Sequence, residues 1–176
     1  MSMNYYIADT HFGDERIIGY CDRPFATVEE MTETIINRWN SVVDANDDVY
    51  IVGDFACGDI SNLKEIIDSL NGRKYLIPGN HDECWMNDGN YRSLINMMNV
   101  IDHVVDGENE VILCHYPLCA FDGSLSGAFH VYGHVHNNIN EPNYAILGKL
   151  KNSYNAGVDV NDFFPRSLEQ LVRAKQ

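Results

Sequence analysis

Side chains of the types that bind metals are grouped at five places along this chain, and each group directly follows a short apolar run. In chain order the five blocks are D-x-H from Asp9, G-D ending at Asp54, G-N-H-D over 79–82, His115, and G-H-x-H over 133–136. One such block is common by chance, but five in this order along one chain are not. Imidazole and carboxylate groups without a thiolate favour an open catalytic metal site over a closed structural zinc site.

Seven of these side chains are candidate metal ligands: Asp9, His11, Asp54, Asn80, His115, His134 and His136. Seven ligands are too many for one ion with an open position, but they suffice for two ions if one carboxylate bridges them. We therefore expect two divalent metal ions, with Mn²⁺ first and Fe, Zn or Ni as alternatives. Glycines precede Asp54, Asn80 and His134, and we expect them to allow backbone conformations closed to other residues and to leave room for a ligand.

The elements that must position these side chains are short strands rich in Val, Ile and Tyr. Such runs predict strands at 4–8, 48–52, 74–77, 111–114 and 129–132. Residues 83–99 and 137–152 are predicted to be loops, because Asn, Gly and Pro interrupt any periodicity there. Since the ligands of open α/β sheets collect outside the carboxyl ends of the strands, five such ends can converge on one crevice.

Helices are predicted between some of these strands. Thr27 has the capping-box spacing to a glutamate and begins an amphipathic helix that ends near Asn46. A second helix is predicted over 61–70 with Ser61 as its N-cap, and a last one begins around Ser167. Strands alternate with helices early and follow one another later, which predicts one layered α/β domain with mixed strand pairing.

Spacing within the blocks suggests how the side chains point. Asp9 and His11 are two residues apart, as are His134 and His136, and in an extended segment this spacing puts both side chains on the same side. The adjacent Asn80 and His81 must diverge. One of these two can face a metal while its neighbour faces what the metal holds.

The charge balance narrows the range of partners. The 176 residues contain 12 Lys plus Arg and 26 Asp plus Glu, which gives a formal net charge of −14. An acidic surface repels nucleic acid and anionic lipid, so long nucleic acid and membranes are not expected as partners. No apolar run exceeds four residues, the N-terminus lacks the basic region of a signal peptide, and the five cysteines contain no CxxC pair. These features predict a cytoplasmic protein with reduced thiols.

The ordered blocks resemble the signature of the calcineurin-like metallophosphoesterase superfamily, from about Asn4 to His136. Further short motifs are similar to a small bacterial and phage branch of that superfamily: RPF at 23–25, WN at 39–40, HYP at 115–117, GHVHN at 133–137 and GVDVN at 157–161. The resemblance implies an α/β fold, a four-layer αββα sandwich of mixed sheets in a single domain over 1–176. It also implies a dinuclear metal centre at one edge of that sandwich.

The resemblance also implies a role for each block residue. Asp9, His11 and His136 would hold the first metal, Asn80, His115 and His134 the second, and Asp54 would bridge the two. His81 matches a histidine that binds no metal and contacts the phosphate and the leaving group. Asp82 would hold the imidazole of His81 and favour its protonated form.

The reaction implied is hydrolysis of a phosphoric ester by in-line attack of a metal-bridging hydroxide. The expected substrate is a small phosphorylated metabolite or nucleotide, as a monoester or a diester. Arg16 and Arg23 are candidate substrate-binding residues, since guanidinium binds phosphate in a bidentate manner. Trp85 and Tyr91 could stack on a nucleobase or simply pack.

Two other interpretations of the function stay open. The fold could serve as a catalytically idle interaction scaffold, or the metals could support a nuclease or cyclic-nucleotide phosphodiesterase.

The sequence also departs from the family pattern at two places. No arginine follows Asp54 closely, which lowers the expectation of a protein phosphatase, and Asp14 stands where the small branch usually has histidine. His103 and His130 are predicted not to be ligands. Oligomeric state carries no signal in the sequence.

Overall fold

A computed structural model describes residues 2–140 and 144–175. Within them the strands are β1 (Asn4–Ile7), β2 (Asp48–Val52), β3 (Arg73–Ile77), β4 (Asn96–Met97), β5 (Ile101–Asp106), β6 (Asn109–Cys114), β7 (Phe129–Tyr132) and β8 (Ser153–Asn155). The helices are α1 (Arg16–Tyr20), α2 (Val28–Val42), α3 (Leu63–Ser69), α4 (Gly89–Arg92), α5 (Tyr144–Leu147) and α6 (Leu168–Ala174). All five predicted strands are present within one or two residues of their expected ends.

The strands form two four-stranded sheets. The first has the order β1-β2-β3-β4, and its strands are all parallel. The second has the order β5-β6-β7-β8, in which β5 and β6 are antiparallel and the remaining pairs are parallel. The predicted mixed pairing is therefore confirmed, and it lies in the second sheet.

Alternate residues of the strands face different layers, because side chains of a strand point to opposite faces. Ile51 of β2 packs with Ile35 and Trp39 of α2 and with Ile67 of α3, so these helices cover the outer face of the first sheet. Between the sheets, residues of both pack together: Ala8, Val52, Ile77, Val111, Leu113 and Val131. The far face of the second sheet packs against α5 and against the segment that precedes β7. These segments form the fourth layer and complete the order αββα.

The helix boundaries test the capping predictions. Thr27 caps α2 as predicted, with its Oγ1 accepting a hydrogen bond from the Glu30 backbone at 3.2 Å, but the helix ends at Val42 rather than near Asn46. The N-cap of α3 is Asn62, so the prediction of Ser61 is wrong: the Ser61 amide donates to Asp59 instead. The capping box at Ser167 is present on α6.

The regions predicted as loops contain short elements. Residues 83–99 include α4, β4 and part of a 3-10 turn at Asp82–Cys84, and residues 137–152 include α5, although 141–143 lie outside the described residues. His130 is buried and hydrogen-bonded to backbone groups of Ile112 and Leu118, so its non-ligand assignment is consistent with the structure. Among the described helices, none has the length and apolar character that a bilayer crossing requires.

Candidate metal centre

The five blocks meet at one edge of the sandwich. They follow the carboxyl ends of β1, β2 and β3 in the first sheet and of β6 and β7 in the second. The two sheets pack face to face, so these ends lie side by side, as the prediction of a common crevice requires. Ligand atoms lie within 4.8 Å of one another in two sets of block residues: Asp9, His11 and His136, and Asp54, His115 and His134. We call the first set the first cluster, and we call His115, His134 and the adjoining Asn80 the second cluster. Asp54 is treated separately, because its carboxylate also approaches His11.

Most of the candidate ligands have left-handed backbone conformations. The φ angles are 59° at Asp9, 52° at His11, 53° at Asp54, 73° at His134 and 47° at His136. The expectation that D-x-H and H-x-H are extended segments is therefore wrong. Such conformations cost roughly 1–3 kcal/mol each and persist where the surrounding structure enforces them, commonly at functional sites.

The first cluster is buried. Asp9 is fully buried, and its carboxylate accepts hydrogen bonds from the His134 backbone at 3.0 Å to both oxygens. His11 is 2% exposed, and neither of its ring nitrogens has a hydrogen-bond partner. Buried polar atoms without partners are rare in folded proteins, which indicates that these nitrogens serve a ligand.

The protonation states of Asp9 and His11 also indicate that these side chains bind a ligand. Burial raises the pKa of Asp9 to about 6, because a carboxylate away from water is costly without a compensating cation. Burial likewise lowers the pKa of His11 to about 3, which keeps the imidazole neutral. A neutral imidazole and a carboxylate are the forms that bind a divalent metal, so this cluster fits such an ion.

The second cluster is more open. His115 is fully buried, but Asn80 and His134 are exposed. The Nδ1 atom of His115 lies 3.0 Å from the carbonyl oxygen of Val52, which makes Nδ1 the donor and leaves Nε2 as a ligand atom. The Oδ1 atom of Asn80 lies 3.2 Å from that Nε2. These two atoms can therefore approach the same ion.

Asp54 lies between the clusters. Its Oδ2 atom is 3.2 Å from Nε2 of His115 and 3.6 Å from Nε2 of His11, so one carboxylate oxygen approaches a ligand of each cluster. Its Oδ1 atom accepts a hydrogen bond from the His81 backbone at 2.8 Å. Burial would raise the pKa of Asp54, but the hydrogen bond and charge of His115 outweigh it and lower the pKa to about 2. This is the position that a bridging carboxylate needs.

The glycines act in two ways. Gly53 has a φ of 84°, as expected for a residue that leaves a strand in a left-handed conformation. Gly79 and Gly133 do not have positive φ, so the expectation for them is wrong. Instead, a Cβ at Gly79 would lie 2.2 Å from Oδ1 of Asp54, and one at Gly133 would lie 2.7 Å from Oδ2 of Asp9. These two glycines make room for the carboxylates themselves.

Asp159 is a functional residue that the sequence reasoning missed. Its Oδ2 atom lies 2.7 Å from Nδ1 of His136, which fixes the ring and leaves Nε2 for a metal. Burial would lower the pKa of His136, but the hydrogen bond to Asp159 overrides it and raises the pKa to about 10. The backbone N–H of Val158 donates to Ala8, and that of Ala8 donates to Ala156, which holds this segment beside the end of β1. The only signal was the GVDVN motif, which carried no assigned role.

Arg23 does not bind substrate, contrary to the prediction. Its side chain is fully buried, and its guanidinium bonds to both oxygens of Asp159 and to the carbonyl oxygens of Asp9 and Thr10. The fifth N–H of the guanidinium contacts Sδ of Met31 at 3.2 Å, so no donor is left for a phosphate. Arg23 instead ties the Asp9 segment to the carboxylate that orients His136.

Asp82 also has a different role from the one predicted. Its buried carboxylate accepts hydrogen bonds from the backbones of Asp54, Phe55 and Gly79, and one from Trp85 Nε1 at 3.1 Å. It therefore joins the ends of β2 and β3 rather than holding the imidazole of the neighbouring histidine. Burial raises its pKa.

The aromatic residues after this block pack in the interior. Trp85 is 1% exposed, and Tyr91 contacts it with a ring distance of 6.4 Å, so neither is available to stack on a nucleobase. The alternative reading of these residues, simple packing, is the one the structure supports.

His81 diverges from Asn80, as expected for adjacent residues. Its exposed imidazole lies 5.1 Å from the ring of His11 between centroids, and its Nδ1 atom is 3.8 Å from Sγ of Cys57. A cavity of about 800 Å³ opens over the centre and is lined by His81, Asn80 and Arg16, among others. Arg16 reaches this cavity with a side chain that is 76% exposed, and its Nε atom donates to Asp14 at 2.8 Å. Of the two candidate arginines, Arg16 lines this cavity, and its binding of substrate stays a prediction.

Comparisons with known proteins identify a sequence family, two relatives and a solved structure that are similar to this chain. The sequence model of the calcineurin-like phosphoesterase family matches residues 5–167. An uncharacterized protein of Methanocaldococcus jannaschii is 34% identical over 178 residues, which cover 98% of this chain and 92% of that protein. The Gene 66 protein of Mycobacterium phage L5 is 30% identical over 135 residues, covering 66% and 64% of the two chains. The crystal structure of a protein of unknown function from Aquifex aeolicus has the same fold, with a TM-score of 0.78 at 23% identity over 98% of this chain and 99% of that one.

Proposed function

The chain belongs to the calcineurin-like phosphoesterase family and is a metal-dependent phosphoric ester hydrolase, and from this premise we propose that it uses two divalent ions to hydrolyse a small phosphorylated metabolite or nucleotide. The first ion would be held by Asp9, His11 and His136, the second by Asn80, His115 and His134, and both by Asp54. The reaction class follows from the family, whereas the number of ions and the size of the substrate are inferred from this chain's own residues.

The position of Asp54 is the observation that carries the proposal of two ions. Its Oδ2 atom approaches Nε2 of His11 and Nε2 of His115, which belong to different clusters. A site for a single ion would need only one of these groups. Either the buried nitrogens of His11 or the ring of His115 would then bind no ion. The ligand set is complete, which argues against a scaffold that has lost its chemistry.

When bound, two divalent ions supply a water nucleophile that is activated near neutral pH and positive charge for the phosphoryl group. The chain supplies the other functions. His81 is exposed into the same cavity, and contact of its Nδ1 atom with Cys57 leaves Nε2 to donate a proton to the leaving oxygen. The guanidinium of Arg16 reaches the cavity and can bind a non-reacting anionic group.

Charge supports the restriction to small substrates. The formal net charge of −14 disfavours a long nucleic acid, and two divalent ions would reduce it only to −14 + 4 = −10. The added positive charge would be confined to the centre. We therefore propose a small phosphorylated substrate, Mn²⁺ as the first ion to test and a cytoplasmic location, where reduced cysteines are stable.

Hydrolysis of p-nitrophenyl phosphate and of its bis ester by protein loaded with Mn²⁺, Ni²⁺ or Co²⁺ tests the proposal. We expect turnover with at least one ion, loss on chelation and recovery on adding the ion back. The ratio of the two activities separates a monoesterase from a diesterase. Metal-loaded protein that is inert towards both esters and towards a panel of nucleotides would contradict the proposal.

A further inference from the structure

Two exposed tyrosines lie beside the metal centre, one next to each cluster. The ring of Tyr20 is 6.4 Å from that of His136, and the ring of Tyr116 is 4.7 Å from that of His134, measured between centroids. Tyr20 is 72% exposed and Tyr116 is 40% exposed, although both are large and partly apolar. Exposed aromatic side chains that line one cavity mark a binding surface more often than a packing defect.

The backbones of both tyrosines are anchored by buried neighbours in the chain. Cys21, which follows Tyr20, is buried and belongs to a group of possible ligand atoms with His136 and Asp159. His115, which precedes Tyr116, is fully buried in the second cluster, and its ring contacts that of Tyr116 with 5.1 Å between centroids. Each tyrosine therefore starts from a fixed point beside the centre, which favours a preorganised binding site.

The cavity that these tyrosines line is larger than a phosphoryl group needs. Its volume of about 800 Å³ is in the range of pockets that enclose a complete small molecule. Besides the tyrosines, several apolar side chains form its wall: Ile17, Pro117, Val135, Ile146 and Leu147. Apart from the tyrosines and the candidate metal ligands, the polar side chains of the described residues that line the cavity are Asp14, Arg16, His81 and Asn138. The larger, apolar part of the wall favours a planar apolar group that buries its faces there.

Charge around the cavity limits the substrate further. Arg16 is the one lysine or arginine among the described residues that line it, and its guanidinium is already paired with Asp14. A second phosphate or a polyphosphate chain would need more cationic groups than this. The leaving group that fits therefore carries at most one anionic group, which Arg16 can bind.

We propose that Tyr20 and Tyr116 form a stacking subsite for a leaving group that carries a planar aromatic ring, which makes the substrate an aryl phosphate or a nucleoside phosphate rather than the phosphate of a simple sugar or polyol. This inference rests on the proposed function. Stacking on aromatic side chains recognises the π-face of a ring and does not depend on its substituents, so nucleobase and simple aryl rings share the required chemistry.

Phenylphosphonate and methylphosphonate form a matched pair of probes, because they share the phosphonate and differ by the ring. We expect Mn²⁺-loaded protein to bind phenylphosphonate at least about fivefold more tightly in calorimetry, as one stacking contact allows. Tyr20→Ala and Tyr116→Ala should each reduce this preference and leave the affinity for methylphosphonate unchanged. Tyr20→Phe and Tyr116→Phe should retain it, and Leu125→Ala, fully exposed and outside the cavity, is the control.

Turnover gives an independent readout. The alanine variants should raise KM for phenyl phosphate several-fold with little change in kcat, and leave both constants unchanged for glycerol phosphate. Comparing phenyl phosphate with adenosine 5′-monophosphate then identifies which kind of ring the subsite prefers.

The outcomes separate the two levels of the proposal. If methylphosphonate binds but the wild type shows no preference for phenylphosphonate, or if the alanine variants weaken both probes equally, the stacking subsite is overturned and the phosphohydrolase proposal survives. If neither phosphonate binds the metal-loaded protein, the proposed function fails and the subsite fails with it.

Discussion

The two halves of the metal centre are built differently. In the first cluster Asp9 and His11 are buried, and His136 is oriented by Asp159, which is itself held by the buried guanidinium of Arg23. In the second cluster Asn80 and His134 are exposed to the cavity. Both halves line the same cavity, but the first is more deeply buried and its ligands are tied to the protein interior, whereas the second is more exposed.

This difference suggests a division of labour within the centre. A ligand set that is fixed before the ion arrives binds it more tightly, because less ordering is required on binding. We therefore expect the first cluster to hold its ion more tightly than the second. The catalytic candidate His81 has an exposed ring beside His11 of the first cluster, where a leaving group in the cavity can reach it. Four changes test this comparison, and the largest effect is expected where both halves depend on one residue.

Replacing the shared carboxylate should disable both halves. Asp54→Asn keeps the shape of the side chain and the oxygen that accepts from the His81 backbone, but it removes the charge between the clusters. Supporting residues of metal sites cost about 10–100-fold when mutated, so we expect this variant to lose more than about 100-fold in kcat/KM, together with bound metal. Activity and metal content by mass spectrometry are the measurements. Asp162→Asn, an exposed position outside the centre, should change neither. A variant that keeps both ions would contradict the bridging role.

Replacing His81 should affect catalysis and leave the metal content of both halves unchanged. His81→Ala removes the proposed proton donor and no candidate ligand, so kcat should fall on the order of 100-fold while metal content stays at the wild-type level. The loss should be larger for alkyl phosphates than for p-nitrophenyl phosphate, since a good leaving group needs less protonation. His103→Ala on the surface of β5 is the matched control. An equal loss for both leaving groups would argue against proton donation.

Replacing Asp159 should affect the first cluster alone. Asp159→Asn leaves His136 in place but weakens its orientation, so affinity for the first ion should fall about 10–100-fold, with the second unchanged. Metal titration by calorimetry resolves the two steps. The melting temperature should fall too, because the buried partner of Arg23 is now neutral. If both ions lose affinity equally, the two halves are not independent.

The smallest expected effect is the dependence of metal affinity on pH. The pKa of His136 is raised to about 10 because its hydrogen bond to Asp159 outweighs the opposing effect of burial. At pH 8 the metal-free imidazole therefore carries a proton on Nε2 that an ion must displace. Affinity at the first cluster should rise with pH up to about 10, by at most about tenfold per pH unit. Calorimetry in buffers of different ionisation enthalpy should detect about one proton released, and fewer in Asp159→Asn. Identical heats in all buffers would contradict this assignment.

The convergence of the five blocks could be predicted from the sequence because its signal is local. Each block directly follows an apolar run, and the rule that ligands gather at the carboxyl ends of strands supplies the convergence. What failed was the backbone of the blocks. D-x-H and H-x-H are two-residue spacings in either an extended or a left-handed segment, and spacing alone does not distinguish them.

The residues that hold the candidate ligands in place could not be predicted, because their role depends on contacts between distant segments of the chain. Arg23 and Asp159 are 136 residues apart in the chain, and nothing in either segment indicates their pairing. Asp82 was assigned to its neighbour in the sequence, whereas its carboxylate accepts hydrogen bonds from the end of β2. An arginine or aspartate that binds substrate and one that is buried behind the ligands look the same in one sequence.

Anomalous diffraction from crystals of Mn²⁺-loaded protein tests the central claim most directly. Two manganese peaks are predicted, one among Asp9, His11 and His136 and a weaker one among Asn80, His115 and His134, with Asp54 in contact with both. Partial loading should fill the first position before the second. A single peak, or a peak at the neighbouring group of Cys21, His136 and Asp159, would contradict a dinuclear centre with unequal halves.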